Sequence, residues 1–298
     1  MTSPTPSLGP FDARLVRLRK RRAARGFTDA AFLHARAAED LAERLEAIPR
    51  PFPRALALGG GVPMRRAIAA RPDLAARIGD LVEADVSGGD VELDPECLPF
   101  AEGAFDLIVS PLTLHWTNDL PGALIQIRRA LKPDGLMLAS LFGGETLQEL
   151  RLALLEAESE LTGGAAMRVA PFAGLQDVAS LIQRAGFALP AADRDVVTVR
   201  YAEPLRLFAD LRAMGETAAF AERAPPLRRS VLTRALEIYR ARFGGADGRA
   251  RATFEILTAT GWAPHASQPQ PLKPGSAQAR LADALKTRER SAGEMAGE

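Results

Sequence analysis

Residues 55–63 read A-L-A-L-G-G-G-V-P, and few stretches of this length constrain a fold more tightly. An apolar run over 54–58 ends in three glycines, Gly59, Gly60 and Gly61, and helix-forming sequence follows over 63–71. Strand, glycine turn and helix in that order begin a βαβ unit. The alternation recurs downstream. Residues 80–84 read as a second strand ending at Asp85, and F-D-L-I-V-S at 105–110 as a third. Asn118 or Asp119 then caps a helix whose apolar stripe is Leu120, Leu124, Ile127 and Leu131. K-P-D-G at 132–135 is turn chemistry, and G-L-M-L-A-S-L-F is the next strand. Strands and helices of these lengths predict an α/β fold, a mostly parallel twisted sheet with helices on both faces.

Ligands of such sheets sit beyond the carboxyl ends of the strands. That rule gathers Gly59–Val62, Asp85, Asp94–Leu98 and Ser110–Trp116 around one crevice. A glycine loop lets backbone approach a ligand closely. A carboxylate ending the second strand can take both hydroxyls of a ribose, or it can cap local backbone. Asp94-Pro95 reads either as ligand binding or as turn chemistry. His115 and Trp116 read either as an acid–base and stacking pair on the substrate side or as a packing anchor. Cys97, beside Leu98 and Phe100, reads as buried rather than nucleophilic. The three histidines, His34, His115 and His265, have no paired spacing, so no metal site is expected.

The flanks differ in character. Residues 1–10 are Pro/Ser-rich and read as disordered. F-D-A-R-L-V-R-L-R-K-R-R-A-A-R-G carries seven basic residues against Asp12, with Phe11, Leu15 and Leu18 at helical spacing. This basic helix, 11–25, is either a solvated face packed on the domain or a contact for an acidic partner or anionic lipid. A second helix spans about 28–47. Beyond the fourth strand the pattern gives helices over 144–161, 174–185, 203–214 and 226–242, strands over 196–201 and 253–262, and a flexible tail from 269. The predicted organisation is thus a helical segment at 11–50 and one domain at 51–268, with helical insertions near 144–173 and 203–243. A formal net charge of +1 gives no global drive toward nucleic acid. No apolar run approaches the length of a membrane span. Placement is expected to be cytoplasmic, with peripheral contact at the inner membrane through helix 11–25 as the variant.

The ordered set of glycines, Asp85, Asp94 with L-P-F, F-D-L-I-V-S and K-P-D-G resembles class I S-adenosylmethionine (SAM) dependent methyltransferases. F-D-A-R-L, L-H-W-T-N-D-L-P-G-A-L, F-G-G-E-T-L-Q-E-L-R, D-L-R-A-M-G-E and G-W-A-P-H-A-S-Q-P are similar to one branch, assembly factor 5 of respiratory complex I and its bacterial relatives. The biotin-pathway malonyl-carrier-protein methyltransferase resembles the same core but matches the C-terminal third less well. The resemblance implies SAM as cofactor, held by Gly59, Gly60, Gly61, Asp85, Asp94, Glu96, Leu98 and Ser110, with His115 and Trp116 toward the substrate. It implies a protein partner, a complex I subunit, modified by methylation or arginine hydroxylation. A fold kept only as a binding or assembly module, and a carrier-protein or small-molecule methyltransferase, are the competing readings.

Three departures bear on that choice. Ala57 stands where the family has an acid, and Pro63 where it has a glycine. Only eight residues, V-S-G-G-D-V-E-L, separate Asp85 from Asp94. A parallel crossover needs about ten to twelve. The usual second helix and following edge strand are therefore expected to be trimmed or collapsed into a loop, with Asp94 displaced.

Overall fold

The computed structural model describes residues 9–269 and Thr287. Apart from Gly9, Pro10, Pro269 and Thr287, the expected disordered N-terminus and flexible tail lie outside the described residues. In chain order the elements are α1 (Ala13–Ala23), α2 (Phe27–Ala30), α3 (Phe32–Glu46), β1 (Phe52–Leu58), α4 (Gly61–Ala69), α5 (Pro72–Arg77), β2 (Ile78–Asp85), β3 (Gly88–Gly89), β4 (Val91–Glu92), β5 (Phe105–Pro111), α6 (Leu120–Ala130), β6 (Leu131–Phe142), α7 (Gln148–Thr162), α8 (Leu175–Arg184), β7 (Ala188–Tyr201), α9 (Leu205–Met214), α10 (Arg229–Phe243) and β8 (Ala250–Trp262). The chain divides into two units, 1–264 and 265–298. In the second, the described residues make a turn in which the Gln268 side chain accepts from the His265 N–H.

Seven strands form one sheet in the order β4-β2-β1-β5-β6-β8-β7. β4, β2, β1, β5 and β6 run parallel, and β8 is antiparallel to both its neighbours. The alternation of side chains along each strand explains the two-faced core. Ala55, Ala57, Leu107 and Leu138 pack with Leu41 and Leu45 of α3 and Met64 of α4. Leu56, Leu58, Ile108 and Met137 pack on the other face with Leu124 and Ile127 of α6 and Ile182 of α8. The helical insertions make a further core: Leu150 and Leu154 of α7, Leu211 of α9 and Tyr239 of α10 close on Phe254 and Ile256 of β8. α3 joins this core as well through Leu33 and Ala37, so the N-terminal helices are part of the domain rather than an appendage.

Three elements differ from expectation. K-P-D-G is drawn into β6, and the irregularity appears as a shift of the β5–β6 register between Phe105 and Leu107, with Asp134 at φ 62°. β7 begins eight residues early because its polar stretch A-D-R-D pairs along an outer strand. The short link after β2 loses its helix but keeps an edge strand: Ala84 and Asp85 pair in parallel with Val91 and Glu92. Gly88 at φ 144° and Gly89 at φ 77° make the reversal short enough, in a backbone region open to glycine. Cys97 is exposed, not buried, because its amide closes a turn onto the Asp94 carbonyl and turns the side chain out.

Candidate active site

The crevice forms where β1, β2 and β5 end together. After β1, Gly59 and Gly60 adopt φ 72° and 56°, and a Cβ on Gly59 would stand 1.8 Å from Thr113 Oγ1. The loop is therefore glycine by necessity, and α4 starts at once behind it. Pro63 falls in the first turn of α4, where a missing N–H breaks no helical bond. Ala57 is fully buried between α3 and α4, so a carboxylate there would be packed into hydrocarbon.

A void of about 180 Å³ opens over this loop, walled by Gly60, Gly61, Glu83, Asp85, Lys20 and His34. Glu83 and Asp85 alternate onto the same side of β2. A Cβ on Gly61 would meet the Glu83 carboxylate at 2.6 Å, so bare backbone forms the floor. A smaller void of about 30 Å³ lies beside it, bordered by Asp94, Glu96, Thr113 and Trp116, and again by Lys20. Asp94 accepts the Glu96 N–H at 2.9 Å, and Glu96 accepts that of Asn118 at 2.6 Å. Leu98 borders neither void; its N–H donates to Gln126 on α6. Ser110 is buried, and its hydroxyl donates to the Leu58 carbonyl at 2.8 Å, tying β5 to β1.

α1 closes the crevice from above. Asp12 caps it, accepting the N–H groups of Arg14 and Leu15. Its basic residues are split between solvent and structure. Arg17 donates to the Val86 carbonyl, Arg21 pairs with Glu92 at 2.6 Å, and Arg19 donates to the Thr217 carbonyl. Arg14, Arg22 and Arg25 stay exposed.

Behind the crevice is a buried carboxylate, Glu216, which ends the D-L-R-A-M-G-E motif but had no expected role at the site. α9 stops at Gly215, φ 75°, with the Gly215 N–H on the Arg212 carbonyl and the Glu216 N–H on that of Leu211. This is a Schellman closure, and it turns Glu216 inward. One Glu216 oxygen receives Lys20 Nζ at 2.5 Å and faces His34 Nε2 at 3.3 Å. The other meets His115 Nε2 at 2.9 Å and Trp116 Nε1 at 2.7 Å. Burial alone would raise Glu216, but Lys20 and the imidazole contacts outweigh it and hold the carboxyl well below its usual range. Burial pushes both His34 and His115 below the usual histidine value, against the pull of Glu216. The cluster therefore holds one anion, one ammonium and two neutral imidazoles. Nδ1 of each ring has no partner among the described residues.

This cluster is a partition. His34 borders the larger void, and Lys20 borders both voids of the crevice. Glu216 and Trp116 face a third cavity, of about 210 Å³, walled by Phe142, Leu154, Phe172 and Phe208. Arg168 stands in that wall too, paired with Glu158 at 2.5 Å. His115 borders none of the three; its ring is packed against Phe142 and Phe172. The structure thus joins His115 and Trp116 to Lys20, His34 and Glu216, residues that no local pattern links.

Comparison with known proteins places the chain in a family. The family description "Methyltransferase domain" matches residues 69–139. The Homo sapiens protein "Arginine-hydroxylase NDUFAF5, mitochondrial" is 39% identical over 291 residues, covering 93% of this chain and 83% of that one. A malonyl-[acyl-carrier protein] O-methyltransferase of Halorhodospira halophila is 32% identical over 266 residues, covering 85% of this chain and 88% of that one. Among solved structures, the YcgJ protein of Bacillus subtilis overlays at a TM-score of 0.49 with 14% identity, over 76% of this chain and 98% of that one. With its β1 glycine loop, its sheet order and these relatives, the chain belongs to the NDUFAF5 family within the class I superfamily of methyltransferases, whose cofactor is SAM.

Proposed function

We propose that this protein binds SAM in the crevice and modifies a protein side chain during assembly of respiratory complex I. The name of its relatives, arginine-hydroxylase, favours arginine as the acceptor and hydroxylation over methylation as the modification. The observation that carries the reading is the Glu216 partition, which stands between the crevice and the aromatic-walled cavity.

The residues present fit the cofactor. Bare glycine backbone at Gly60 and Gly61 offers a floor for a close-lying ligand, and a side chain at position 61 would fill it. Asp85 supplies a carboxylate for the two hydroxyls of a ribose, while that of Glu83 is paired with Arg65 at 2.5 Å. Asp94 and Glu96 border the continuation of the crevice, on the adenine side by family resemblance. When bound, SAM supplies an electrophilic sulfonium carbon. The chain's own work is placement: α1 covers the crevice and excludes water, the loop and β2 orient the ligand, and the acceptor side chain enters from the aromatic cavity. With Nε2–H turned toward the Glu216 carboxylate, the neutral imidazoles of His34 and His115 each leave Nδ1 as an acceptor.

The test has two stages. Titration calorimetry with SAM and S-adenosylhomocysteine is expected to give micromolar binding. Incubation with SAM and a complex I subunit is then expected to add a methyl group to an arginine, releasing S-adenosylhomocysteine, or, where dioxygen and a two-electron reductant are also supplied, one oxygen, as read by mass spectrometry. Absence of heat and of thermal shift at millimolar ligand overturns the enzyme reading and leaves a binding or assembly module.

A further inference from the structure

We infer that Lys20 completes the cofactor site: its ammonium takes the α-carboxylate at the amino-acid end of SAM, and Glu216 holds that ammonium in place. The inference rests on the SAM-binding reading above.

Charge in the crevice is the first reason. Among the described residues that wall the larger void, Glu83 and Asp85 are acids and Lys20 is the one cation. The amino-acid end of SAM carries a carboxylate, which needs a cation or a set of N–H donors. Pro63, in the first turn of α4 behind the loop, has no N–H to add. Without Lys20, a carboxylate lying in this void would meet no cation among its described lining residues, but would meet Asp85, a Glu83 carboxylate already paired with Arg65, and backbone.

Position is the second reason. Lys20 borders both voids of the crevice, so the residue stands where the Asp85 side meets the Asp94 side. An ammonium has three donors. Glu216 takes one, at 2.5 Å, and is its only partner among the described residues. The side chain is 11% exposed. Two donors on a nearly buried cation are thus left for a ligand, and buried donors without acceptors are costly.

Pre-organisation is the third. Glu216 already meets four groups with its two oxygens, Lys20, His34, His115 and Trp116, so the carboxylate cannot turn away. The stem of Lys20 is pinned too. A Cβ on Gly215 would come within 3.2 Å of Lys20 Cδ and 3.3 Å of Ala23 Cβ, so α1 lies directly on the turn that aims Glu216. Residue type agrees with the task. Lys20 is the single lysine in a helix otherwise served by arginines, and a compact three-donor head can serve two carboxylates at once.

The experiment compares two ligands that differ only in the end Lys20 is assigned to hold. S-adenosylhomocysteine has the amino-acid carboxylate; 5′-methylthioadenosine lacks it. Both are titrated calorimetrically into the full chain, into Lys20→Met, and into the double variant Lys20→Met/Glu216→Gln. The double variant removes both charges and keeps the cluster neutral should the single one fold poorly. Affinity for S-adenosylhomocysteine is expected to fall roughly 10- to 100-fold in whichever variant is folded, with 5′-methylthioadenosine unchanged. Lys20→Arg should recover part of the loss. Equal losses for both ligands, or none for either, overturn the assignment while leaving the cofactor reading intact. Wild-type protein that binds neither ligand overturns the cofactor reading, and this inference with it.

Discussion

A carboxylate buried beneath one ammonium, two imidazoles and an indole is a concentrated dependency at a single residue. Glu216→Gln keeps the shape but leaves the Lys20 ammonium buried without its anion. Breaking one side of a buried pair costs about 3–5 kcal/mol. Denaturant titration of the variant should show that loss, whereas a stability unchanged from wild type would mean that the buried charge pair gives no net stabilisation. At this scale the sequence was legible where chemistry is local. Gly59–Gly61, Asp85 and His115–Trp116 stand in short contiguous patterns, and the structure places all of them at the strand ends. Glu216 was not legible, because it meets His115 across 101 residues and Lys20 across 196. The usable signal was small: an acid directly after a helix-ending glycine, in A-M-G-E, inside an otherwise apolar stretch.

Among the elements, the link between β2 and β4 bears most on the crevice. Gly89 sits at φ 77°, and a Cβ there would stand 2.6 Å from the Glu83 carbonyl. Gly89→Ala is therefore expected to cost about 1–3 kcal/mol of stability and to weaken S-adenosylhomocysteine binding, since Glu83 and Gly89 both wall the larger void. Paired thermal-shift and calorimetric titrations check both effects; a variant equal to wild type would show that the link adapts. Counting residues correctly removed the helix from this link. It did not foresee that two glycines let a two-residue strand survive. The early start of β7 was hidden for a different reason. Its charged face suits an outer strand exposed to water, so the stretch lacks the apolar alternation by which strands are recognised.

For the molecule as a whole, the two neutral histidines set a direction for acid sensitivity. Their folded values lie below the usual 6.5, so the unfolded chain binds the additional protons. Stability is then full above about pH 6.5 and falls as acid is added, by at most one proton per histidine. Glu216, held below its usual 4.5, pushes the same way once the pH falls past that value. Denaturation midpoints at about pH 7 and about pH 5.5 should therefore differ, and the gap should narrow in His34→Gln/His115→Gln. A gap of the same size in the double variant would place the sensitivity elsewhere.

The sheet order carries one more consequence, for how the chain comes to be folded. β8 ends at Trp262 and lies between β6 and β7, pairing along both. Until it emerges from the ribosome, β6 has no neighbour on that side and β7 has none at all. Between the synthesis of β6 and that of β8 the growing chain therefore carries open strand edges, a state prone to wrong pairing. Its insertion also closes the core shared by α7 and α10, so tertiary order arrives late and all at once. Pairing of β8, rather than the early glycine loop, sets the moment at which this protein acquires a site.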